Sequence, residues 1–310
     1  MLILSNKNNI NKCALVTGGA GFIGSNIVDE LITLGWHVKV IDNESADTHD
    51  SFYWNPKAEN HKLDISDYNS IKHLFEGVDY VFHLAAESRI QPTLDNPSLA
   101  CEVNFLGTCN ILNACKEYNV KRMLYSSSSS VYGLSNTTPY NEEMKTNCLN
   151  PYSVSKFAGE ELCKMYYNLW GVETVTFRYF NVYGDRQPLK GQYAPVVGLF
   201  LRQKDNNLPM TIVGDGLQTR DFTNVKDVVN VNILAAQSTN KDVLGEIINI
   251  GTGRSFSILD LVDIIKGESV HIPARLAEAR ETVADISKVK KLLGWSPTIK
   301  LEDYLKKQQK

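Results

Sequence analysis

A glycine-rich turn near the start of the chain constrains the fold more than any other feature. Lys12–Thr17 is a short apolar run, and Phe22–Leu34 carries apolar residues at helical spacing. The sequence that joins them is Gly18-Gly19-Ala20-Gly21-Phe22-Ile23-Gly24. Glycines there allow a tight strand-to-helix turn and a close approach of the backbone to a diphosphate, which the helix N-terminus then attracts. The turn predicts a dinucleotide site, and an ordinary βα turn is the alternative.

An acidic residue at the end of the next strand indicates which dinucleotide fits. Asp42 follows the strand-like run His37–Ile41 and lies 18 residues after Gly24. A carboxylate there accepts hydrogen bonds from both hydroxyls of an adenosine ribose and repels a 2′-phosphate. No arginine lies between Gly18 and Asp42 to bind such a phosphate. We expect NAD rather than NADP; the alternative is a solvated carboxylate at a strand end.

Strand-like and helix-like segments alternate along the first half of the chain. Further strand-like segments are Asp79–Leu84, Lys121–Ser126 and Glu173–Phe180, and helical ones run from Pro97 to about Tyr118 and over Pro151–Leu169. This alternation predicts an α/β fold with a Rossmann-type doubly wound parallel sheet, covered by helices on both faces.

The alternation loosens after about residue 181, where proline and glycine are frequent. We predict a helix over Val225–Ala236, a strand over Glu246–Ile250, and short helices at Ile286–Leu293 and Leu301–Gln308. We therefore expect an NAD-binding domain of residues 1–180, to which 222–252 return. A smaller, partly discontinuous α/β domain for the substrate would comprise 181–221 and 253–310.

Composition excludes several classes of function. Lys and Arg total 32 against 35 Asp and Glu, a net charge of −3, and the absence of a basic tract argues against nucleic-acid binding. No apolar run approaches the ~18–20 residues that span a membrane, and no signal peptide is recognisable. The six cysteines form no Cys-x-x-Cys pair and the six histidines are scattered, so we expect no metal site. These observations predict a cytoplasmic enzyme with reduced thiols.

Serine, tyrosine and lysine residues in two segments point to acid–base chemistry. Tyr152 and Lys156 are four residues apart in a predicted helix and would share one face. A phenol has a pKa of about 10, and a lowering by about three units, worth about 4 kcal/mol, is within reach of an ammonium and a cationic nicotinamide ring. Ser126–Ser130 follows a predicted strand, so its hydroxyls could reach a substrate oxygen and the cofactor. The alternatives are an exposed Tyr and Lys, and a flexible serine linker.

With these segments in order, the chain resembles the extended short-chain dehydrogenase/reductase superfamily, in its nucleotide-sugar epimerase/dehydratase branch. The similarity covers nearly the whole chain, and nine motifs in register make it specific. In chain order they are GGAGFIG at 18–24, Asp42-Asn43, HLAA at 83–86, VN at 103–104, SSSSSVYG at 126–133, YSVSK at 152–156, RYFNVYG at 178–184, RDF at 220–222 and ARETVAD at 279–285.

The resemblance implies roles for individual residues. Ser128 would hydrogen-bond the reacting hydroxyl, Tyr152 would be the catalytic base and acid, and Lys156 would lower the pKa of Tyr152 and hold the nicotinamide ribose. NAD would be held by Gly18, Gly21, Phe22, Ile23, Gly24, Asp42, Asn43, Asp64, Ile65, Leu84, Ala85, Ala86, Asn104, Ser126, Tyr152, Lys156 and Tyr179. The nucleotide sugar would be held by Ser88, Ser128, Asn181, Gln192, Arg220, Arg275 and Glu278. Arginine suits a diphosphate because its forked donors are always charged. The segment Arg275-Leu276-Ala277-Glu278 lacks the glycine that the family usually has there.

The residues after Ser128 favour one reaction of this family. Its members begin by removing a hydride, usually from C4 of the sugar, and dehydratases add an Asp-Glu pair just after the catalytic Ser or Thr. This chain has Ser129-Ser130 there, and it also lacks the Glu of decarboxylating relatives. The resemblance therefore implies C4 epimerisation of a UDP-sugar through a transient 4-keto sugar, with UDP-glucose/UDP-galactose or the N-acetylated pair as substrates. A nucleotide-sugar 4,6-dehydratase is the main alternative; the others are a reductase that releases its cofactor and a cofactor-binding protein without activity.

The resemblance also implies a homodimer. In this family the helices that correspond to residues of about 98–118 and 151–169 pair across a two-fold axis as a four-helix bundle. We expect a small-molecule substrate and no nucleic-acid or membrane partner.

Overall fold

A seven-stranded parallel sheet organises the part of the chain that the structure describes. The computed structural model describes residues 12–46, 51–88, 90–188, 195–274 and 279–308. Within them, the strands of the main sheet are β1 (Cys13–Thr17), β2 (His37–Asp42), β3 (Glu59–Lys62), β4 (Tyr80–His83), β5 (Arg122–Ser128), β6 (Thr174–Tyr179) and β11 (Ile247–Ile250). Their order across the sheet is β11-β6-β5-β4-β1-β2-β3, and every pairing is parallel.

Shorter strands and the helices complete the described elements. Small sheets pair β7 (Val182–Tyr183) with β10 (Thr223–Asn224) and β8 (Met210–Val213) with β13 (Ser269–Ile272), and they place β9 (Thr219–Arg220) between β12 (Phe256–Ser257) and β14 (Glu281–Thr282). The α-helices are α1 (Phe22–Thr33), α2 (Tyr68–Ile71), α3 (Ile90–Asp95), α4 (Pro97–Cys101), α5 (Thr108–Glu117), α6 (Pro151–Trp170), α7 (Val196–Asp205), α8 (Val225–Gln237), α9 (Ile258–Ile265), α10 (Ser287–Leu293) and α11 (Leu301–Lys307). A π-helical turn covers Glu102–Gly107, and 3-10 turns cover Lys72–Phe75, Ser129–Tyr132 and Lys241–Val243.

Side chains of the main sheet enter two cores on opposite faces. Ala14 and Val16 of β1 pack into a core with α1 and α8, whereas Leu15 packs into a second core with α5 and α6. Alternation of this kind follows from the period of two in a strand. Because helices cover both faces, the central strands are apolar throughout. The doubly wound parallel sheet predicted from the sequence is confirmed.

The chain after β6 builds a third core and then returns to the main sheet. Phe200 of α7, Met210 of β8 and Leu261 of α9 belong to this separate core. Strand β11 lies beside β6, with Ile248 paired to Phe177, after α8 has crossed the face of the sheet. The division into a cofactor domain and a substrate domain stays a prediction.

Several elements differ from the sequence-based expectation. The helix expected from Pro97 to about Tyr118 is divided, because the π-helical turn lies between α4 and α5. Apolar spacing over a single turn does not distinguish a π-turn from an α-turn. Strand β3 was not expected, because Glu59-Asn60-His61-Lys62 is a polar edge strand whose side chains are largely exposed. Helices α7 and α9 were also missed.

Helix α6 is the longest of the described helices, with 20 residues. One of its faces packs against β5 and β6, and the other carries charged residues such as Glu161 and Lys164. Within the described ranges, no helix is long and apolar enough to cross a membrane.

Candidate active site

A cleft of about 590 Å³ opens where the main strands end. Its walls come from the residues that close or follow these strands: Gly18 after β1, Asn43 after β2, Leu84 after β4, Ser128 in β5 and Asn181 after β6. The carboxyl edge of an open parallel sheet is where such folds bind their ligands.

Most of the predicted site residues meet at this cleft. Of the residues predicted for the cofactor, its walls include Gly18, Gly21, Phe22, Ile23, Gly24, Asp42, Asn43, Ile65, Leu84, Ala85, Ala86, Ser126, Tyr152, Lys156 and Tyr179. Of those predicted for the substrate, they include Ser88, Ser128, Asn181 and Arg220. Gln192, Arg275 and Glu278 lie outside the described residues.

Two predicted cofactor residues lie behind the wall and not on it. Asp64 Oδ2 accepts a hydrogen bond from Asn43 Nδ2 at 2.8 Å, and its Oδ1 accepts one from the Ser66 backbone at 2.8 Å. Asn104 Nδ2 donates to Ser155 Oγ at 2.9 Å and to the Glu87 carbonyl at 3.0 Å. These polar groups make hydrogen bonds within the protein, and direct contacts of Asp64 and Asn104 with NAD stay a prediction.

The glycine turn leaves no room for side chains. Gly18 has a φ of +67°, and a Cβ on it would lie 2.7 Å from the Ala85 backbone nitrogen. A Cβ on Gly24 would lie 2.1 Å from the Gly18 carbonyl oxygen. The turn therefore brings bare backbone to the cleft at the start of α1, where helix N–H groups suit an anion.

The carboxylate of Asp42 ties the end of β2 to this turn. Its Oδ2 accepts a hydrogen bond from Ala20 N at 3.1 Å, and its Oδ1 accepts one from Glu44 N at 2.8 Å. The residue is buried yet lines the cleft. A fixed carboxylate at this position can accept further hydrogen bonds from ligand hydroxyls.

Tyr152 and Lys156 lie on helix α6, and the residues around its first turn determine where this helix begins. Asn150 is the N-cap and Pro151 occupies the first turn. Asn150 Oδ1 accepts from Ser153 N at 2.9 Å, and Ser153 Oγ lies 3.2 Å from Asn150 N, which completes a capping box. The side chains of Tyr152 and Lys156 thus project from the first two turns of α6 toward the cleft.

Lys156 is held between the helix and β5. It is only 4% exposed, its Nζ donates to the Ser126 carbonyl at 2.8 Å, and it lies 5.3 Å from the centroid of the Tyr125 ring. Burial lowers the pKa of Lys156 to about 8, because an ammonium loses hydration there.

The serines at the end of β5 line the same cleft as Tyr152. Ser128 caps the 3-10 turn that follows, and its Oγ accepts a hydrogen bond from Ser130 N at 3.2 Å. Ser126 Oγ donates to the Tyr179 hydroxyl at 3.4 Å, and Asn232 Nδ2 donates to that hydroxyl at 2.8 Å. Burial raises the pKa of Tyr179 to about 12, so this phenol stays protonated at neutral pH.

Asn181 and Arg220 also line the cleft. Asn181 Nδ2 donates to the Asp221 carbonyl at 2.8 Å, and Arg220 Nη1 donates to the Thr219 carbonyl at 2.8 Å. Arg220 is thus a cationic residue in a lining that also includes Tyr140, Phe222 and other apolar groups. A guanidinium there suits a diphosphate.

Two buried residues that support the site were missed in the sequence, although each lies inside a quoted motif. Asp221, within RDF, accepts hydrogen bonds from Thr252 N at 2.8 Å and Gly253 N at 2.9 Å, and so joins the loops beyond β11 to β9. His83, within HLAA, bridges Thr17 Oγ1 at 2.7 Å and Thr108 Oγ1 at 2.9 Å. Burial lowers the pKa of His83 to about 3, so the ring is neutral.

The arrangement can perform proton transfer at a bound alcohol. Tyr152, Ser128 and Lys156 line the same cleft, with the ammonium buried beside the phenol's helix turn. Among the described residues, no group of three or more His, Cys, Asp or Glu is arranged to hold a metal ion.

Comparison with known proteins agrees with this geometry. A family model described as GDP-mannose 4,6 dehydratase matches residues 15–308. A Methanocaldococcus jannaschii protein, provisionally named a UDP-glucose 4-epimerase, is 40% identical over 301 residues, covering 94% of this chain and 96% of the relative.

Two solved structures share both the fold and a third of the sequence. The UDP-glucose 4-epimerase of Thermotoga maritima, solved with UDP-glucose, has a TM-score of 0.88 and 34% identity, covering 95% of this chain and 96% of that one. The UDP-glucuronic acid 4-epimerase of Bacillus cereus, in complex with UDP-glucuronic acid and NAD, has a TM-score of 0.85 and 32% identity, covering 96% of this chain and 98% of that one.

Proposed function

This chain belongs to the extended short-chain dehydrogenase/reductase family of nucleotide-sugar epimerases and dehydratases, and from that premise we propose that it is an NAD-dependent UDP-sugar 4-epimerase. The proposed substrates are UDP-glucose and UDP-galactose or their N-acetylated equivalents, interconverted through a transient 4-keto sugar. One observation carries the proposal: Ser128, Tyr152 and Lys156 line one cleft, and serines follow Ser128 at the positions where dehydratases have carboxylates.

NAD suits the half of the cleft that the glycine turn forms. The crowded Cβ positions of Gly18 and Gly24 require glycine where the chain turns into α1, whose N-terminus suits a pyrophosphate, and Asp42 offers a fixed acceptor for ribose hydroxyls. When bound, NAD accepts a hydride from the sugar carbon and returns it. The residues that would hold it are the fifteen predicted ones that line the cleft, from Gly18 to Tyr179.

Proton transfer falls to this chain's own side chains. Tyr152 takes the proton of the C4 hydroxyl as a phenolate and returns it when the opposite epimer forms. Lys156 stabilises the phenolate, since its ammonium is held at Ser126 in a buried site. Ser128 positions the reacting oxygen by a hydrogen bond, and Asn181 and Arg220 bind the diphosphate side of the substrate.

The residues beside Ser128 favour epimerisation over dehydration. Elimination of water needs an added acid and base, whereas Ser129 and Ser130 line the cleft with hydroxyl groups. A 4-keto sugar that does not undergo elimination is reduced again at C4. The dehydratase alternative keeps some support, because the matching family model has a dehydratase's description.

A product assay tests the proposal. The purified protein would be incubated separately with UDP-glucose, UDP-N-acetylglucosamine, UDP-glucuronate and GDP-mannose, and the products would be separated by chromatography and identified by NMR. We expect the C4 epimer of UDP-glucose or of UDP-N-acetylglucosamine and no net change in NAD. Accumulation of a 4-keto-6-deoxy sugar would establish the dehydratase instead, and epimerisation of UDP-glucuronate alone would reassign the substrate.

We also propose that residues 181–221 and 253–310 form the substrate domain, while 222–252 complete the cofactor domain. The separate core of Phe200, Met210 and Leu261 supports the first part, and the pairing of β11 with β6 supports the second. Limited proteolysis should cleave between these units before it cleaves within the main sheet.

A homodimer is proposed from the apolar surface of α3, the π-helical turn and α6. Leu94, Phe105, Leu106, Leu169 and Trp170 are all exposed there, an unusual concentration of large apolar side chains. Sedimentation should give twice the chain mass, and a 34.7 kDa species at micromolar concentration would contradict the dimer. We place the protein in the cytoplasm, which is consistent with six cysteines that are all free thiols. Cell fractionation tests this location.

A further inference from the structure

A buried ion pair lies directly behind the predicted catalytic residues. Tyr152, Lys156 and Glu160 are spaced four residues apart on α6, so they follow one another along the same face. Glu160 is 0% exposed, and its carboxylate accepts hydrogen bonds from Arg178 Nε at 2.9 Å and Nη2 at 2.7 Å. Arg178 is buried in β6. A two-bond fork of this kind fixes direction as well as distance.

This face of α6 holds consecutive serines at the end of β5. The Ser126 carbonyl accepts a hydrogen bond from Lys156, and the Ser127 hydroxyl donates one to Glu160. Successive side chains of a strand point to opposite faces. Anchoring Ser127 on the helix side therefore sets the direction in which Ser128 projects into the cleft.

Arg178 also contacts the turn that follows Ser128. Its Cζ lies 4.6 Å from the centroid of the Tyr132 ring, and Tyr132 is the last residue of the 3-10 turn that Ser128 caps. The Tyr132 hydroxyl donates to Asn249 Oδ1 at 2.8 Å, so the ring is held on both sides. In the sheet, Arg178 is paired in register with Ser127. The ion pair thus touches the residue before Ser128 and the turn after it.

We propose that Glu160 and Arg178 are positioning residues, which set the geometry of Ser128 and the charge that faces Lys156. The inference rests on the function proposed above, since it assigns Ser128 and Lys156 their parts in that reaction. Neither residue of the pair lines the cleft, so both act through Ser127, Tyr132 and Lys156. Burial of an ion pair is a weak source of stability, because desolvation opposes the attraction, whereas a buried fork gives directional accuracy.

The charge that faces Lys156 comes from its own helix. The titratable groups around it are Tyr152, Glu160 and Cys163 on α6, Tyr125 on β5 and His83 on β4. Burial raises the pKa of the Cys163 thiol and of the Tyr125 phenol, and it keeps His83 neutral. Burial lowers the pKa of Lys156, and the Glu160 carboxylate, which is ion-paired with Arg178, acts against that lowering.

Two variants of the NAD-bound protein separate geometry from charge. Arg178→Lys keeps the charge but replaces the fork by a single ammonium, and Glu160→Gln keeps the shape but removes the charge. We expect both to lower kcat by about 10–100-fold, as small misplacements at active sites do, while KM and bound NAD stay within about two-fold. Wild-type kcat in Arg178→Lys would overturn the geometric part of the proposal.

A second arginine–glutamate pair, in which Arg122 is buried and Glu173 is partly exposed, provides a control at the opposite end of the same strands. Arg122 Nε and Nη2 donate to Glu173 at 3.0 and 2.7 Å, and Arg122 is likewise buried. Glu173→Gln should lower the melting temperature but leave kcat unchanged. If it lowers kcat as much as Glu160→Gln does, the effect is one of general stability and the proposal fails.

The titration of Tyr152 gives a readout that needs no substrate. Tyrosinate absorbance of the NAD-bound protein would be followed against pH, with the Tyr152→Phe spectrum subtracted. Glu160→Gln should move the Tyr152 titration to lower pH, because an anion behind the site is removed and the charge of Arg178 is then unopposed. An unchanged titration would overturn the electrostatic part.

The double variant Glu160→Gln/Arg178→Gln guards against misfolding, because it leaves no buried charge unpaired. Its titration should return toward that of the wild type, while kcat stays low. A double variant with wild-type kcat would overturn the proposal. If the wild type converts no nucleotide sugar, the proposed function fails, and the titrations still decide whether the pair acts on Tyr152 and Lys156.

Discussion

The Nζ atom of Lys156 lies 2.8 Å from the carbonyl oxygen of Ser126, so a charged hydrogen bond joins helix α6 to the end of β5. Tyr152 lies one turn before Lys156, and Ser128 lies two residues after Ser126. This contact therefore helps to connect the two segments that the proposed reaction needs, together with the Ser127–Glu160 hydrogen bond.

Removing the phenol of Tyr152 should abolish most turnover and leave the cofactor bound. We expect Tyr152→Phe to lower kcat by about 10²–10⁴-fold, the usual range for loss of a general acid–base group. Bound NAD would be measured by chromatography after denaturation and should match the wild type. Tyr68→Phe, which removes a phenol bonded to Glu117 at the surface, serves as the control. Wild-type rates in Tyr152→Phe would remove Tyr152 from the mechanism.

Turnover should fall on the alkaline side of neutrality. Burial lowers the pKa of Lys156 to about 8, and a neutral lysine no longer stabilises the Tyr152 phenolate. We expect the pH profile of kcat to decline above about pH 8, with the protein still folded by circular dichroism. A profile that is flat from pH 7 to about pH 10 would contradict this assignment of Lys156.

The lowered pKa of Lys156 has the opposite effect on stability, because the free energy of unfolding rises with pH where turnover falls. Below about pH 8 Lys156 is charged in both folded and unfolded chains, and burial of that charge opposes folding in full. Between about 8 and 10.5 the folded protein releases the proton while the unfolded chain keeps it, so the free energy of unfolding rises with pH. Melting temperatures of wild type and Lys156→Met in the NAD-free form should therefore converge, or cross, over this range. A constant difference would exclude the linkage.

Asp42 should control both the affinity and the choice of cofactor. Asp42→Ala removes the acceptor for Ala20 N and Glu44 N as well as the proposed ribose contact. Loss of hydrogen bonds to a charged group should weaken NAD binding by about 10–100-fold, and the preference over NADP should shrink. Calorimetric titration measures both. Asp79→Ala is the control, since Asp79 bonds the Cys13 backbone at the other end of β1; equal loss of affinity there would point to general damage.

Gly159 should be intolerant of any side chain. A Cβ at this position would lie 2.1 Å from the Tyr125 hydroxyl oxygen, which itself donates to the Lys156 carbonyl at 3.3 Å. Gly159→Ala should push α6 away from β5, lower stability by about 1–3 kcal/mol and reduce kcat. Gly267→Ala, where the nearest atom would be 3.4 Å away, should change neither quantity. Equal stability of both variants in urea titrations would show that a methyl group at position 159 fits between α6 and β5.

The parts of the site that lie close together in sequence were predictable. The glycine turn, the Tyr152–Lys156 spacing and the serines of β5 are local patterns, and each has a physical meaning that needs no tertiary structure. The main sheet followed from the alternation of apolar strands and helices, because its strands are buried on both faces. The wall residues Gly18, Asp42 and Ser128 are where that alternation predicted them.

The parts that depend on register were not predictable. Arg178 lies beside Ser127 only because β5 and β6 pair with that offset, and no local pattern fixes the offset. Glu160 looks like an ordinary helix carboxylate in the sequence, yet it is wholly buried. Asp64 and Asn104 are not among the residues that line the cleft, and no local pattern indicates their hydrogen-bond partners Asn43 and Ser155. Strand β3 was not predicted, because an edge strand needs no apolar side chains and so leaves no apolar pattern in the sequence.

Strand β11 lies beside β6 although about seventy residues separate them along the chain. Until Ile250 has been synthesised, β6 is an open edge whose backbone N–H and C=O groups have no strand on one side. A nascent chain must therefore synthesise α7, β8 and α8 before β11 can pair with β6 and complete the main sheet. Fragments that end near residue 180 are therefore expected to associate through that edge.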